Sequence, residues 1–156
     1  MGLRSDIRNE LVSTLPLREP VLVAPTTVVR DAVGRMKQAH LGCVFVVDSE
    51  MRPLGKFTER QMIRVLVQNL GGMDEPIKNH MIPIGRCMRL DDRIADVVEE
   101  MQESGVRFVC VVDGSGAVIR LAGQRSVMEY IAEHFPRQVK VQMMEAKLHM
   151  DQREGA

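Results

Sequence analysis

Three cysteines (Cys43, Cys87, Cys110) and four histidines (His40, His80, His134, His149) are the side chains of this 156-residue chain best suited to metal or redox chemistry. Their spacing matches no zinc-ligand pattern, and no C-x-x-C pair occurs. Cys43 and Cys110 lie in or beside β-branched runs, where a free thiol behaves as a small apolar residue, so they read as reduced core cysteines. Asp91-Asp92 and Glu99-Glu100 are paired carboxylates, yet adjacent helical residues point in different directions and form no general acid/base dyad. Twelve methionines could bind a soft metal, but Met36, Met62, Met101 and Met128 recur at core positions and read as packing. Gly71-Gly72 carries no Walker or dinucleotide fingerprint. No nucleophile, base and orienting group can be assembled from these spacings, so no enzyme activity is expected.

Composition narrows the partners. Lys+Arg and Asp+Glu balance at 21 each, which leaves no net field to recruit nucleic acid or a membrane surface. Aromatic residues make up 3% with no Trp, too few for base-stacking platforms. The apolar runs, such as Val44–Val47 and Val109–Val112, are far shorter than the roughly 20 residues that span a bilayer. The opening MGLRSDIRNE places charge where a signal peptide is apolar, so a cytoplasmic location is expected.

Whatever chemistry remains must be positioned by a repeat. Aligning Met36 with Met101 gives an offset of 65 that runs gapless from Val23/Met88 to Leu66/Ile131. Asp31/Asp96, Val44/Val109, Val46/Val111, Asp48/Asp113 and Arg60/Arg125 are identical across it. Each copy begins with an amphipathic helix, Val29/Ala32/Val33/Met36 and Ile94/Val97/Val98/Met101, with Thr26 or Thr27 and Asp91 or Asp92 expected as N-caps. A continuous β-branched run follows, CVFVVD or FVCVVD, suited to a strand buried on both faces. Turns at Asp48–Pro53 and Asp113–Gly116 lead to second strands at Leu54–Phe57 and Ala117–Ala122. A second helix then carries Met62, Ile63, Val65 and Leu66, or Val127, Met128, Tyr130 and Ile131, on its expected core face.

The fold class this predicts is α+β: two tandem βαββα units packed sheet to sheet about a pseudo-twofold axis, since one unit of about 50 residues buries too little surface alone. Two equivalent grooves then form where the copies meet. The expected organisation is a leading helix in 1–14 (Ser5–Leu15 by its apolar face), units at 15–67 and 81–137, and a linker at 68–80. A C-terminal helix and tail, with Val139–Met150 as its stripe, fill 138–156.

The order helix, strand ending Val-Val-Asp, turn, second strand, then Leu-Gly-Lys-Phe-Thr-Glu-Arg (Leu54–Arg60), with Tyr-Ile-Ala-Glu-His-Phe-Pro (Tyr130–Pro136) closing the second copy, resembles a stand-alone pair of CBS domains over residues 15–137. The resemblance implies a regulatory module that senses an adenylate such as AMP, ADP, ATP or S-adenosylmethionine. It implies a disk-shaped homodimer acting on a separate regulated protein, with no required cofactor and no metal.

The family's ligand signature, Gly-x-x-[Ser/Thr]-x-x-Asp, falls on Gly55, Thr58 and Gln61 in the first copy. By that resemblance Gly55 lets backbone approach the ligand, Thr58 and the helix N-terminus meet phosphate, and the last position holds the ribose. In the second copy Arg120, Gly123 and Ser126 occupy the three places. Arg60 and Arg125 stand beside the motifs, where a guanidinium can meet phosphate or simply be solvated, and Phe45 and Cys110 stand where an adenine pocket would be lined, a place that packing between strands explains equally well. Loss of the acid at Gln61 and Ser126 predicts weakened adenylate binding. The alternative is a ligand-free dimerisation or interaction module.

Overall fold

The computed structural model of the chain describes residues 2–136; the C-terminal helix expected over Val139–Met150 lies outside them. Helix α1 (Leu3–Asn9) and a 3-10 turn (Val12–Thr14) precede the first unit, which runs β1 (Leu22–Val23), α2 (Val29–Ala39), β2 (Cys43–Val47), β3 (Pro53–Thr58) and α3 (Glu59–Gln68). After two further 3-10 turns, Leu70–Asp74 and Ile77–Asn79, the second unit runs α4 (Ile94–Ser104), β4 (Phe108–Val112), β5 (Val118–Gly123) and α5 (Gln124–His134).

The repeat register is visible in the hydrogen bonds. β2 pairs antiparallel with β3 from Cys43↔Thr58 to Val47↔Pro53, with a bulge between Val46 and Val47. β4 pairs with β5 from Phe108↔Gly123 to Val112↔Val118, with the same bulge between Val111 and Val112. β1 pairs parallel with β2 (Leu22↔Phe45, Val23↔Val46), whereas in the second unit that pairing shrinks to one bridge, Met88↔Val111.

All five residues of β2 are buried because the strand lies between two layers. Val44 and Val46 face the first unit's helices with Val29, Ala32, Met36 and Phe57. Cys43, Phe45 and Val47 face the other way, against Cys110, Val112, Val118 and Leu121 of the second sheet. Side-chain alternation along a strand thus serves two cores, and the sheets pack on each other as the unbroken apolar runs predicted.

The shared aspartates organise the hairpin turns. Asp48 Oδ1 accepts from the backbone N–H groups of Glu50 (2.8 Å) and Arg52 (3.0 Å). Asp113 Oδ1 accepts from Ser115 N (2.8 Å), Ser115 Oγ (2.6 Å) and Ala117 N (3.1 Å). The equivalent turn residues Met51 and Gly116 both take positive φ, 61° and 86°.

The chain leading into each unit packs on the other unit. Leu11 bridges Arg93 and Arg18 bridges Leu121, while Pro76 bridges Val28 and Ile82 bridges Lys56. Val12 is fully buried in the second unit's core beside Met88 and Ile94. Ile77, 65 residues on, is fully buried in the first unit's core. The stretch 68–80 is therefore folded onto the first unit as two 3-10 turns.

Several local expectations differ from the structure. The helix expected over Ser5–Leu15 ends at Asn9, and the chain turns so that Val12 and Leu15 enter the core. Neither threonine caps α2, whose N-cap is Val28. The N-cap of α4 is Arg93, whose N–H donates to Asp96 Oδ2 (3.0 Å) from inside the helix, while Asp92 Oδ2 takes the N–H of Arg89 in the preceding turn (2.8 Å). Ile63 and Met128, read as core, are 58% and 62% exposed, and Leu66 is exposed too. A helix buries one face, and Val65 in α3 and Val127 with Tyr130 in α5 already fill it.

Candidate functional site

The residues expected to hold a ligand meet at the β3–α3 junction, in a form dictated by local packing. Gly55 is buried, and a Cβ there would stand 2.8 Å from the Ile82 carbonyl oxygen and 2.8 Å from the Met81 sulfur. The close backbone approach that requires glycine is made by the chain itself, through the Ile82–Lys56 pairing (2.9 Å in both directions). Thr58 is the extended N-cap of α3. Its N–H donates to Gln61 Oε1 (3.0 Å), and its hydroxyl donates to the same oxygen. Gln61, 5% exposed, thus spends its amide oxygen on the helix start, the reciprocal arrangement of a capping box. Ser126, equally buried, accepts from Gly123 N (3.3 Å) at the start of α5.

Of the other expected residues, only Arg60 stands at this junction. Arg60 is exposed and has no ion pair or side-chain hydrogen bond among the described residues. Arg125 is exposed and paired with Glu129 one turn on (3.0 Å). Phe45 lies opposite Lys56 on the neighbouring strand. Phe45 and Cys110 are both buried in the layer between the sheets, so packing accounts for them fully. Arg120, at the position of the missing glycine, swings outward to Glu19 (3.1 Å). The structure brings Gly55, Thr58, Arg60 and Gln61 together and leaves Arg125 and Ser126 on the second unit.

A cleft of about 340 Å³ opens on the other side of the α3 N-terminus. Lys37, His40, Gly42 and Glu59 border it, over a floor that includes Val33, Met36 and Met62. Glu59 N donates to the Gly42 carbonyl (3.1 Å), and a Cβ on Gly42 would crowd the Glu59 carboxylate at 3.2 Å. His40 closes α2 in the left-handed conformation with φ 52°. The sequence patterns pointed past this cleft because its residues come from two helix ends and carry no motif.

Lys56 was also missed. It is 4% exposed in the inter-sheet layer, at the position its repeat counterpart fills with Leu121. It influences the thiols of Cys43, Cys87 and Cys110. Burial pushes the Cys43 thiol up to about 12. Cys110 is also raised, chiefly by the neighbouring Cys87 thiol and then by burial, and Cys87 is lowered, chiefly by the neighbouring Cys110 thiol. Among the described residues no cluster of three or more His, Cys, Asp or Glu side chains gathers as a metal site. No helix of the described residues is long and apolar enough to cross a membrane.

Residues 12–68 match the CBS domain family, and the fold of both units matches solved CBS pairs. The family match covers the first unit, and the likeness of fold extends over the pair. A 17.7 kDa protein of Acidianus ambivalens is 23% identical over 116 residues, 74% of this chain and 70% of that one. The CBS domain protein PAE2072 from Pyrobaculum aerophilum, solved complexed with AMP, superposes with a TM-score of 0.71 at 20% identity, covering 87% of this chain and 99% of that one. The CBS domain pair of protein MJ0100, in complex with 5′-methylthioadenosine and S-adenosyl-L-methionine, superposes at 0.70 with 18% identity, covering 80% and 97%. The two units of the chain share scaffold, register and hairpin chemistry. They differ at the junction that carries Gly55, Thr58 and Gln61 in the first unit and Arg120, Gly123 and Ser126 in the second.

Proposed function

We propose that this CBS pair is a non-catalytic regulatory module that holds an adenine nucleotide weakly at the first unit's β3–α3 junction. The observation that carries the reading is Arg60, exposed in the first turn of α3 and without an ion pair among the described residues. There a phosphate meets a guanidinium and the N–H groups of a helix start together. CBS pairs of this fold solved with AMP and with S-adenosylmethionine support the ligand class. The ribose would meet Gln61 in place of a carboxylate. Loss of a charge-assisted bond of about 1.5–3 kcal/mol lowers affinity at least tenfold. Self-association as a homodimer is part of the proposal. It is supported by Ile63 and Met128, equivalent positions of α3 and α5 that both leave a large apolar side chain in solvent. Three free cysteines fit a reducing, cytoplasmic setting, and the regulated protein would read the dimer's arrangement.

A specific observation favours a second reading, an interaction module without ligand. Gln61 and Ser126 are both spent on their own helix starts, and Gly55 is covered by Met81 and Ile82. Calorimetry with AMP, ADP, ATP and S-adenosylmethionine separates the two. The sensor reading expects binding that Arg60→Ala weakens and Gln61→Asp strengthens, with a matching rise in melting temperature. No heat and no thermal shift at millimolar ligand leaves the interaction module.

A further inference from the structure

We propose that Cys87 and Cys110 form an oxidisable dithiol, a modification site at which peroxide closes an intramolecular disulfide between the segment entering the second unit and β4. The backbone sets the two side by side. Met88 bridges Val111 in parallel, with Met88 N donating to the Cys110 carbonyl and Val112 N to the Met88 carbonyl, both at 2.8 Å. The same register in the first unit places Leu22 directly beside Phe45, and Cys87 and Cys110 are the residues 65 positions on. Neighbouring strands run about 4.8 Å apart, inside the roughly 4.4–6.8 Å Cα separation that a disulfide spans. Cys110 is buried between the sheets, and Cys87 packs against the same layer from its half-buried edge.

The surroundings divide the labour between the thiols. Cys87 is half-buried, so it is the sulfur an oxidant reaches, and the neighbouring Cys110 thiol holds its pKa below the ordinary thiol value, which favours the thiolate. Lys56 from the other unit favours its thiolate, while burial and Glu100 oppose it. Cys43, on the same layer, is held as a thiol by burial and is inert. In the first step the Cys87 thiolate attacks hydrogen peroxide, breaking the O–O bond. Sulfenic acid forms and, with one proton taken up, water leaves. In the second, the Cys110 sulfur attacks the Cys87 sulfenic sulfur. The S–S bond forms as the S–O bond breaks, and the hydroxyl leaves with the Cys110 proton as a second water. Two thiols have then lost two electrons to the peroxide. The bridge would fix the Cys87 strand at the point where its ladder has dwindled to one pair.

The test is hydrogen peroxide titration of the full chain, followed by intact mass and non-reducing peptide mapping. The expected result is loss of two hydrogens per chain, peptides linked through Cys87 and Cys110, and one remaining thiol, Cys43, that reacts only after denaturation. Cys110→Ser should stop at a Cys87 sulfenic acid trappable by a 1,3-dione. Lys56→Leu keeps the fold, because leucine fills the equivalent position of the second unit, and should slow oxidation at neutral pH by roughly three- to tenfold. Linkage through Cys43, disulfides only between chains, or a folded protein that keeps all three thiols under peroxide overturns the proposal.

Discussion

Truncating Ile77 to alanine tests whether the stretch between the units is structural. Its side chain is fully buried in the first unit's core with Val23, Val29, Val44 and Phe57, and three carbons are lost. At about 0.8 kcal/mol per buried carbon the transfer loss is roughly 2.4 kcal/mol. A cavity that relaxes incompletely brings the expected cost to about 3–4 kcal/mol, a large part of the roughly 5–15 kcal/mol that holds a domain together. The internal control is Leu70→Ala, seven positions earlier in the same stretch and 70% exposed, which should stay within about 0.5 kcal/mol. Urea denaturation followed by circular dichroism measures both. Ile77→Ala should move the midpoint with the slope unchanged, since the folded and unfolded surfaces stay the same. A cost below about 1 kcal/mol for Ile77→Ala, or equal costs for the two variants, would mean that 68–80 is a tether and the crossed packing contributes nothing.

Two further expectations concern the hairpin turns. Asp113 sits below the ordinary carboxylate range, first because the Ser115 hydroxyl donates to it and then through the Ser115, Ala117 and Gly116 N–H groups. A depressed folded value stabilises above the unfolded value of about 3.9 and is lost as pH falls through the folded one. The melting-temperature gap between wild type and Asp113→Ala should therefore be full at neutral pH and shrink below about pH 4; a constant gap refutes this. Met51 holds φ 61° where its counterpart Gly116 holds 86°, so Met51→Gly should relieve left-handed strain and leave stability unchanged or raised by up to about 1 kcal/mol. A clear loss in urea titration would assign a packing role to the Met51 side chain.

The repeat was legible because period-2 and period-3.6 patterns both survive at one offset, and β2 and β4 pair as those patterns require. Helix starts were less legible. Threonines and aspartates compete for backbone N–H groups in turns as well as at caps, and Asp92 serves the turn at Arg89 while Asp96 serves α4. Ile63 and Met128 show why an apolar residue near a stripe is not yet core: hydrophobicity alone does not say which side of a helix a partner covers. The crossing of the leading segments gave no signal of its own, since it rests on isolated bridges and one or two buried side chains. At the candidate site, the sequence located Gly55, Thr58 and Gln61. It did not show that Gln61 turns back onto Thr58, because an amide oxygen suits a cap and a ribose equally well. Lys56 escaped for a related reason, since a strand of mixed pattern gives no sign that a lysine is enclosed between two sheets.

The exchange of leading segments bears on how the molecule comes apart. Val12 leaves the second unit's core only when α1 and its turn detach, and Ile77 leaves the first unit's core only when the chain entering the second unit lifts away. Each half is thus incomplete without a piece of its neighbour, and neither can melt while the other stays intact. The pair should unfold in one cooperative transition despite its duplicated architecture. A separately produced half would expose an empty slot shaped for the other's leading segment, so two cut fragments should find each other and rebuild the whole.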